Sequence, residues 1–302
     1  MVKTDGFDGL LKAAKFKFRT KNVHVRCGLA EFLGTFILIL FGCGSVAQME
    51  LSGFAKAQFL SVNMAFGYAV TAGAYVCAGV SGAHLNPAVS LAMFLLRRMT
   101  FKLMLVYCLA QFLGAFFGAA IVFALYFDAL YVYSGGNFTV VGPQATAGIF
   151  ASYPSEHLSV INGFTDQVIA TAALLICILA VVDEKNNAAP VGLQPFVIGL
   201  MVLLVGLAMG FNCGYPINPA RDLAPRLFTA IAGWGLEVFS AGNHWWWVPV
   251  LGPLVGGLIG AIIYELFVEI HHPLDQEKEI LDDNGPDHPT RCPQYELVQS
   301  AA

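Results

Sequence analysis

Ser81-Gly82-Ala83-His84-Leu85-Asn86-Pro87-Ala88 and Gly214-Tyr215-Pro216-Ile217-Asn218-Pro219-Ala220-Arg221-Asp222 decide how this chain folds. Each puts asparagine where a helix N-cap belongs and proline at the first helical position, where the missing N–H costs nothing. The apolar run behind each motif is short, Asn86 to Leu96 and Asn218 to about Phe228. At 1.5 Å per residue such a helix is about 16 Å long, roughly half of a ~30 Å hydrocarbon core. What precedes the motifs also repeats. In Ala30-Glu31-Phe32-Leu33-Gly34-Thr35, Glu31 lies 55 residues before Asn86, and in Asp166-Gln167-Val168-Ile169-Ala170-Thr171, Gln167 lies 51 before Asn218. One Asn-Pro alone would be only a good helix start; two with matching surroundings read as an internal repeat.

Around these motifs the chain is lipid-soluble. Of 302 residues 57% are hydrophobic and 12% charged, against the ~25% charge of a soluble domain. The 36 charged residues crowd the ends, 9 in residues 1–27 and 10 in residues 269–302, leaving 17 for the 241 between. Six segments are long and apolar enough to span: about 28–49, 57–77, 103–126, 163–182, 191–210 and 247–268. With the N-terminus cytoplasmic, 13 of the 16 basic residues fall inside and only Lys56 outside. The organisation expected is a basic cytoplasmic segment at 1–27, which lies against anionic membrane lipid, and a channel body at 28–268. An acidic, disordered cytoplasmic tail at 269–302 completes it. The body divides into repeats at 28–126 and 163–268 joined by an extracellular loop at 127–162. That loop lacks Lys and Arg and carries Asn137-Phe138-Thr139, a glycosylation acceptor pattern.

Three spans and one half-helix per repeat force the second copy to be inverted, so the half-helices enter from opposite sides and their N-termini meet near the midplane. Irregular backbone at that depth is tolerated only where it lines a polar cavity. The fold expected is therefore all-α, six transmembrane helices plus two re-entrant half-helices around a pore. Carbonyls of Gly82, Ala83 and His84, and of Gly214, Tyr215 and Pro216, form acceptor ladders leading to Asn86 and Asn218. Opposed helix N-termini make the pore centre positive and disfavour cations.

With its paired Asn-Pro-Ala triplets, Asn86-Pro87-Ala88 and Asn218-Pro219-Ala220, the second followed by Arg221, the chain resembles the aquaporin family. Asp222, Arg226 and Pro249-Val250 resemble its glycerol-conducting branch, the aquaglyceroporins. The resemblance implies a homotetramer in the plasma membrane, each protomer with its own pore and both termini cytoplasmic. It implies passive conduction of glycerol, water and urea, without cofactor or metal, and it maps the selectivity filter onto Phe66, Gly206, Tyr215 and Arg221. Glycine at 206 removes the bulk, often histidine, that water-only members carry. Phe66 and Tyr215 then supply an apolar corner for C–H groups, while Arg221 donates to hydroxyls.

Other readings stay open at several of these residues. Phe66 in an apolar span also suits core or lipid packing. Gly206 suits close helix packing, as do Gly114, Gly118, Gly252, Gly256 and Gly260. A charge as deep as Arg221 costs at least ~2.5 kcal/mol, which makes its reading functional. The family uses the position of Glu31 to hold a half-helix loop through backbone N–H groups; its repeat counterpart here is Gln167, a departure from the usual Glu. Asp222 and Arg226, four apart on a helix, are expected to pair and brace the second half-helix. His84 is a pore-wall residue whose alternative role is pH-dependent reorientation. Cys213 is the candidate for mercurial block, with packing as its alternative; all seven cysteines lack metal-ligand spacing. In the tail, Tyr295-Glu296-Leu297-Val298 fits a sorting pattern.

Rival functions are weaker. A strict water channel is opposed by Gly206 and Asp222. An active transporter would need a phosphate-binding loop or proton relay, and a membrane enzyme a nucleophile with its base; neither pattern stands in the sequence. No aromatic platform or groove-reading motif accompanies the basic head, which excludes a nucleic-acid module.

Overall fold

The computed structural model describes residues 5–273. The tail sorting pattern, and the disorder expected of the acidic tail beyond residue 273, lie outside the described residues. Among the described residues ten α-helices follow in order: α1 (Asp5–Phe18), α2 (Val23–Leu51), α3 (Phe59–Ser81), α4 (Pro87–Leu95) and α5 (Phe101–Tyr133), then α6 (Val160–Val182), α7 (Gln194–Met209), α8 (Pro219–Thr229), α9 (Glu237–His244) and α10 (Val248–Phe267). Among the described residues there is no strand. Caps fix several starts. Asn22 accepts from His24 N–H, Thr100 from Leu103 N–H and Ser159 from Asn162 N–H, each satisfying an otherwise orphaned donor.

Helices α2, α3, α5, α6 and the stretch containing α10 are long and apolar enough to cross a membrane. The fifth expected span, 191–210, is corrected to 16 residues, Gln194–Met209. Its first residues form a turn instead, closed by Leu193 N–H donating to Pro190 O at 2.6 Å and pinned where Tyr75 Oη donates to Gly192 O at 2.8 Å. Proline at 190 and glycine at 192 favour that turn over an extra helical turn. Helix α5 conversely runs past 126 to Tyr133, shortening the connection to α6.

Packing repeats between the halves. α2 lies against α5 and α3, α6 against α10 and α7, and each half-helix crosses over, α8 onto α5 and α4 onto α10. The two long-helix crossings rest on glycine. A Cβ on Gly114 would strike the Phe32 carbonyl, and one on Gly256 the Val168 carbonyl, so both close approaches exist only without a side chain. The lipid-directed faces stay apolar and exposed, as at Leu29, Leu109, Leu125 and Leu204.

At the inner end, that of the 183–193 connection, polar contacts tie the segment after α10 to the body. Arg98 Nη2 donates to Glu269 Oε1 at 2.6 Å, a pair with side chains 31% and 30% exposed and worth at most about 1 kcal/mol. Asp183 Oδ2 accepts from Tyr264 Oη at 2.8 Å and pairs with His272 Nε2 at 2.7 Å, while its Oδ1 accepts from Lys185 N–H at 3.0 Å. Partial burial alone would raise the Asp183 carboxyl, but the hydrogen bonds from His272, Tyr264 and the Lys185 amide outweigh it and hold it below its ordinary value of 3.8. A carboxylate depressed on folding contributes stability that is complete above its unfolded value and lost as pH falls through the folded one. Wild type should therefore melt above Asp183→Asn at neutral pH, and the two melting curves should converge in acid below the folded value; a gap that widens in acid contradicts this.

Candidate functional site

The two short helices start alike and face each other. Asn86 Oδ1 accepts from Ala88 N–H at 2.9 Å, and Asn218 Oδ1 from Ala220 N–H at 3.0 Å and Arg221 N–H at 3.2 Å. Each amide also reaches across: Asn86 Nδ2 donates to Ile217 O at 2.9 Å and Asn218 Nδ2 to Leu85 O at 2.8 Å. One N–H of each asparagine locks the opposite loop, and the other remains.

The loops before the helices share a backbone pattern. Positive φ occurs at Gly82, Ala83 and Leu85 in one and at Gly214, Tyr215 and Ile217 in the other, the same offsets from the asparagines. For the four non-glycine residues this conformation costs about 1–2 kcal/mol each, so surrounding contacts must hold it. In the first loop Glu31 does so. Its Oε1 accepts from His84 N–H at 2.9 Å and Ser81 Oγ at 2.6 Å, its Oε2 from Leu85 N–H at 2.8 Å and Gln111 Nε2 at 2.7 Å. Tyr107 Oη donates to Ser81 O at 2.6 Å, and His84 Nδ1 lies 3.1 Å from Ser90 Oγ. In the second loop Gln167 Oε1 accepts from Ile217 N–H at 2.9 Å.

A cavity of about 500 Å³ runs between the repeats, lined by both loops, both asparagines, Phe66, Tyr215 and Arg221, and by Val182, Val191 and Gln194 at the inner end. At the outer end the four expected filter residues come together. The Phe66 and Tyr215 rings meet edge-on at 6.3 Å, and Arg221 Cζ stands 5.0 Å from the Phe66 ring centre, within cation–π range. Arg221 Nη1 donates to Phe150 O at 3.1 Å. Gly206 backs onto Tyr215: a Cβ there would lie 2.5 Å from Tyr215 Cζ.

Behind Arg221, Asp222 and Arg226 are fully buried and paired at 2.8 Å. Asp222 Oδ2 also accepts from Ser152 N–H at 2.7 Å, and Arg226 Nη1 donates to Val238 O at 2.8 Å. The pair thus braces the 150–152 segment whose carbonyl holds Arg221. Sequence reasoning missed Phe150 and Ser152, which lie in a connection without periodicity. Gln111 carried a readable signal, an amide inside an apolar span. Cys213, the candidate for mercurial block, is buried and packs against Leu158, Trp245 and Val248 with its thiol 3.2 Å from Gln167 Nε2. Asn137 is exposed in the connection after α5.

Two half-helices locked nose to nose over a cavity shared by two repeats define a membrane channel architecture. The family described as Major intrinsic protein matches residues 17–264, and the chain belongs to it. It is similar to Aquaporin-9 of Homo sapiens, 52% identical over 88% of this chain and 91% of the relative, and to Aquaporin-10 of Homo sapiens, 52% identical over 84% and 85%. The X-ray structure of the aquaglyceroporin from Plasmodium falciparum superposes with a TM-score of 0.74 at 32% identity, covering 81% of this chain and 97% of that one.

Proposed function

We infer that the chain is a passive channel for glycerol and water, and for urea and other small neutral solutes, that refuses protons and ions. The observation that carries this reading is the grouping of Phe66, Tyr215 and Arg221 over Gly206 at the outer end of the cavity. Two aromatic rings present C–H surface to a carbon backbone, and the guanidinium, its Nη1 held by Phe150 O, donates to hydroxyls, so a polyol loses little on shedding water. The names of the relatives, aquaporin and aquaglyceroporin, support the same reading. Carbonyls of Gly82, Ala83, His84, Gly214 and Pro216 accept from the permeant while one N–H of Asn86 and of Asn218 donates to it. Donors at the centre orient its oxygen and break a continuous proton wire. Arg221 and the opposed helix N-termini oppose cations. Four copies assemble in the plasma membrane with both termini cytoplasmic, the basic segment at 1–27 against anionic lipid and Asn137 a glycan acceptor outside.

The test is purified protein in proteoliposomes, with water, glycerol and urea permeability measured by light scattering. Fluxes above those of empty vesicles, non-saturating and with a low activation energy, are expected; gradient-coupled or saturable flux overturns the reading. One observation favours the second reading, a water-selective channel: the Tyr215 ring occupies the space beside Gly206. Glycerol flux at the level of empty vesicles with intact water flux selects it.

A further inference from the structure

We propose that Asp166 is the positioning carboxylate of the second pore loop, acting through Gln167 and Asn212. The two loops demand different things. Glu31 serves two backbone donors, His84 N–H and Leu85 N–H. The corresponding residues are Pro216 and Ile217, and proline has no N–H, so a single acceptor oxygen suffices. Gln167 supplies it at 2.9 Å from Ile217 N. An amide, unlike a carboxylate, has a wrong way round. Turned over, it would aim its NH2 at the Ile217 N–H.

Asp166 removes that choice. Its Oδ1 accepts from Gln167 Nε2 at 2.9 Å, so a reversed amide would also set its oxygen against a carboxylate. Its Oδ2 accepts from Asn212 Nδ2 at 2.7 Å. One carboxylate therefore tethers both ends of the 212–217 loop, the start directly and the end through Gln167. The tethered loop holds Gly214, Tyr215 and Ile217, all at positive φ, and Tyr215 is the ring beside Gly206. The position also suits a charge. Asp166 is half-buried near the outer start of α6, which begins at Val160, whereas Gln167 beside it is fully buried. The charge stands where water still reaches it, and the neutral amide carries its effect inward.

The proposal rests on the channel reading, and the full-length protein in proteoliposomes tests both. Asp166→Asn is expected to lower glycerol and water permeability by roughly tenfold, the weight of one hydrogen bond to a charged group. Gln167→Glu alone sets two carboxylates in contact and is expected to lower both as well. Combining them moves the carboxylate one residue and keeps the hydrogen bonds to Asn212 and to Ile217 N–H and the one between the two side chains, giving up only the weak Gln167 donation to the Cys213 thiol, so the double variant should return to within about twofold of wild type, against additivity. Losses in the double that multiply, or an Asp166→Asn channel that conducts as wild type, overturn the assignment.

Hydrogen exchange of the 212–217 amides gives a readout independent of conduction. Exchange should quicken in Asp166→Asn and recover in the double variant. If wild type carries neither solute yet this pattern holds, the channel reading falls and the tether stands; unchanged exchange in Asp166→Asn overturns the tether whatever the fluxes.

Discussion

Replacing Gly206 with histidine should remove most glycerol conduction and spare much more of the water flux. A Cβ at 206 would lie 2.5 Å from Tyr215 Cζ, 2.8 Å from Cε1 and 2.9 Å from the hydroxyl, distances no side chain tolerates. Tyr215 must therefore move, and its retreat is closed. Gly210, one turn on, would have its own Cβ 3.0 Å from Tyr215 Cδ1, so the ring already sits against the α7 backbone at both turns. The open direction is the cavity, toward Phe66 and Arg221, where the rings now meet at 6.3 Å. An imidazole adds bulk on the same side. Glycerol must pass that gap as a carbon chain and water only as one oxygen, so the ring's advance falls on glycerol: a loss of at least about tenfold, equivalent to ~1.4 kcal/mol of added barrier. Alanine should give the same direction with a smaller loss, because its Cβ alone makes the clash. Stopped-flow permeability of both solutes on one reconstituted sample decides it, and equal loss of both would refute the size argument.

That argument changes what the glycine means. From sequence, Gly206 reads as space left open in a ring of four. In the structure the space is filled by Tyr215, and glycine is needed so that an aromatic residue can stand back from the cavity. The difference was not legible because it depends on a loop at positive φ, and single-residue backbone conformations leave little trace in sequence. Other features were legible for definite reasons. Long apolar runs and Asn-Pro starts are local signals, and they placed the spans and both half-helices, with the fifth span shortened at Pro190 and Gly192. Glu31 was readable as a support through the family resemblance; a charge in an apolar run says by itself only that partners must exist. Its partners Ser81 and Gln111 were not, since nothing local says which donors a carboxylate meets. The same limit hid Ser152 from Asp222, 70 residues apart, and hid the neighbours of Cys213. Residue types announce that a partner must exist; only the packing of distant segments says which.

Asp222→Asn should be the most destabilising single change near the pore. The carboxylate and Arg226 are both at 0% exposure, and Asp222 Oδ1 accepts from Arg226 Nε at 3.1 Å and Nη2 at 2.8 Å. Asparagine keeps the shape and removes the charge, leaving a buried guanidinium whose remaining acceptors are neutral carbonyls, Val238 O and Ser152 O. Breaking a buried pair from one side costs about 3–5 kcal/mol, more than a surface pair contributes, because an uncompensated charge remains. The amide must also turn one side toward the Ser152 N–H and hydroxyl that Oδ2 now accepts, so it cannot serve both partners as oxygen. The damage should reach the filter, since the 150–152 segment supplies the Phe150 carbonyl that Arg221 Nη1 donates to. Melting of the detergent-solubilised channel, compared at one heating rate because such unfolding is commonly irreversible, should show a large drop for Asp222→Asn. Removing both charges, Asp222→Asn with Arg226→Met, should recover a substantial part of it, because an apolar replacement leaves no buried charge to neutralise. If the double variant instead melts as low as the sum of the two single losses, the pair acts as two independent packing residues and its charge is not what braces the loop.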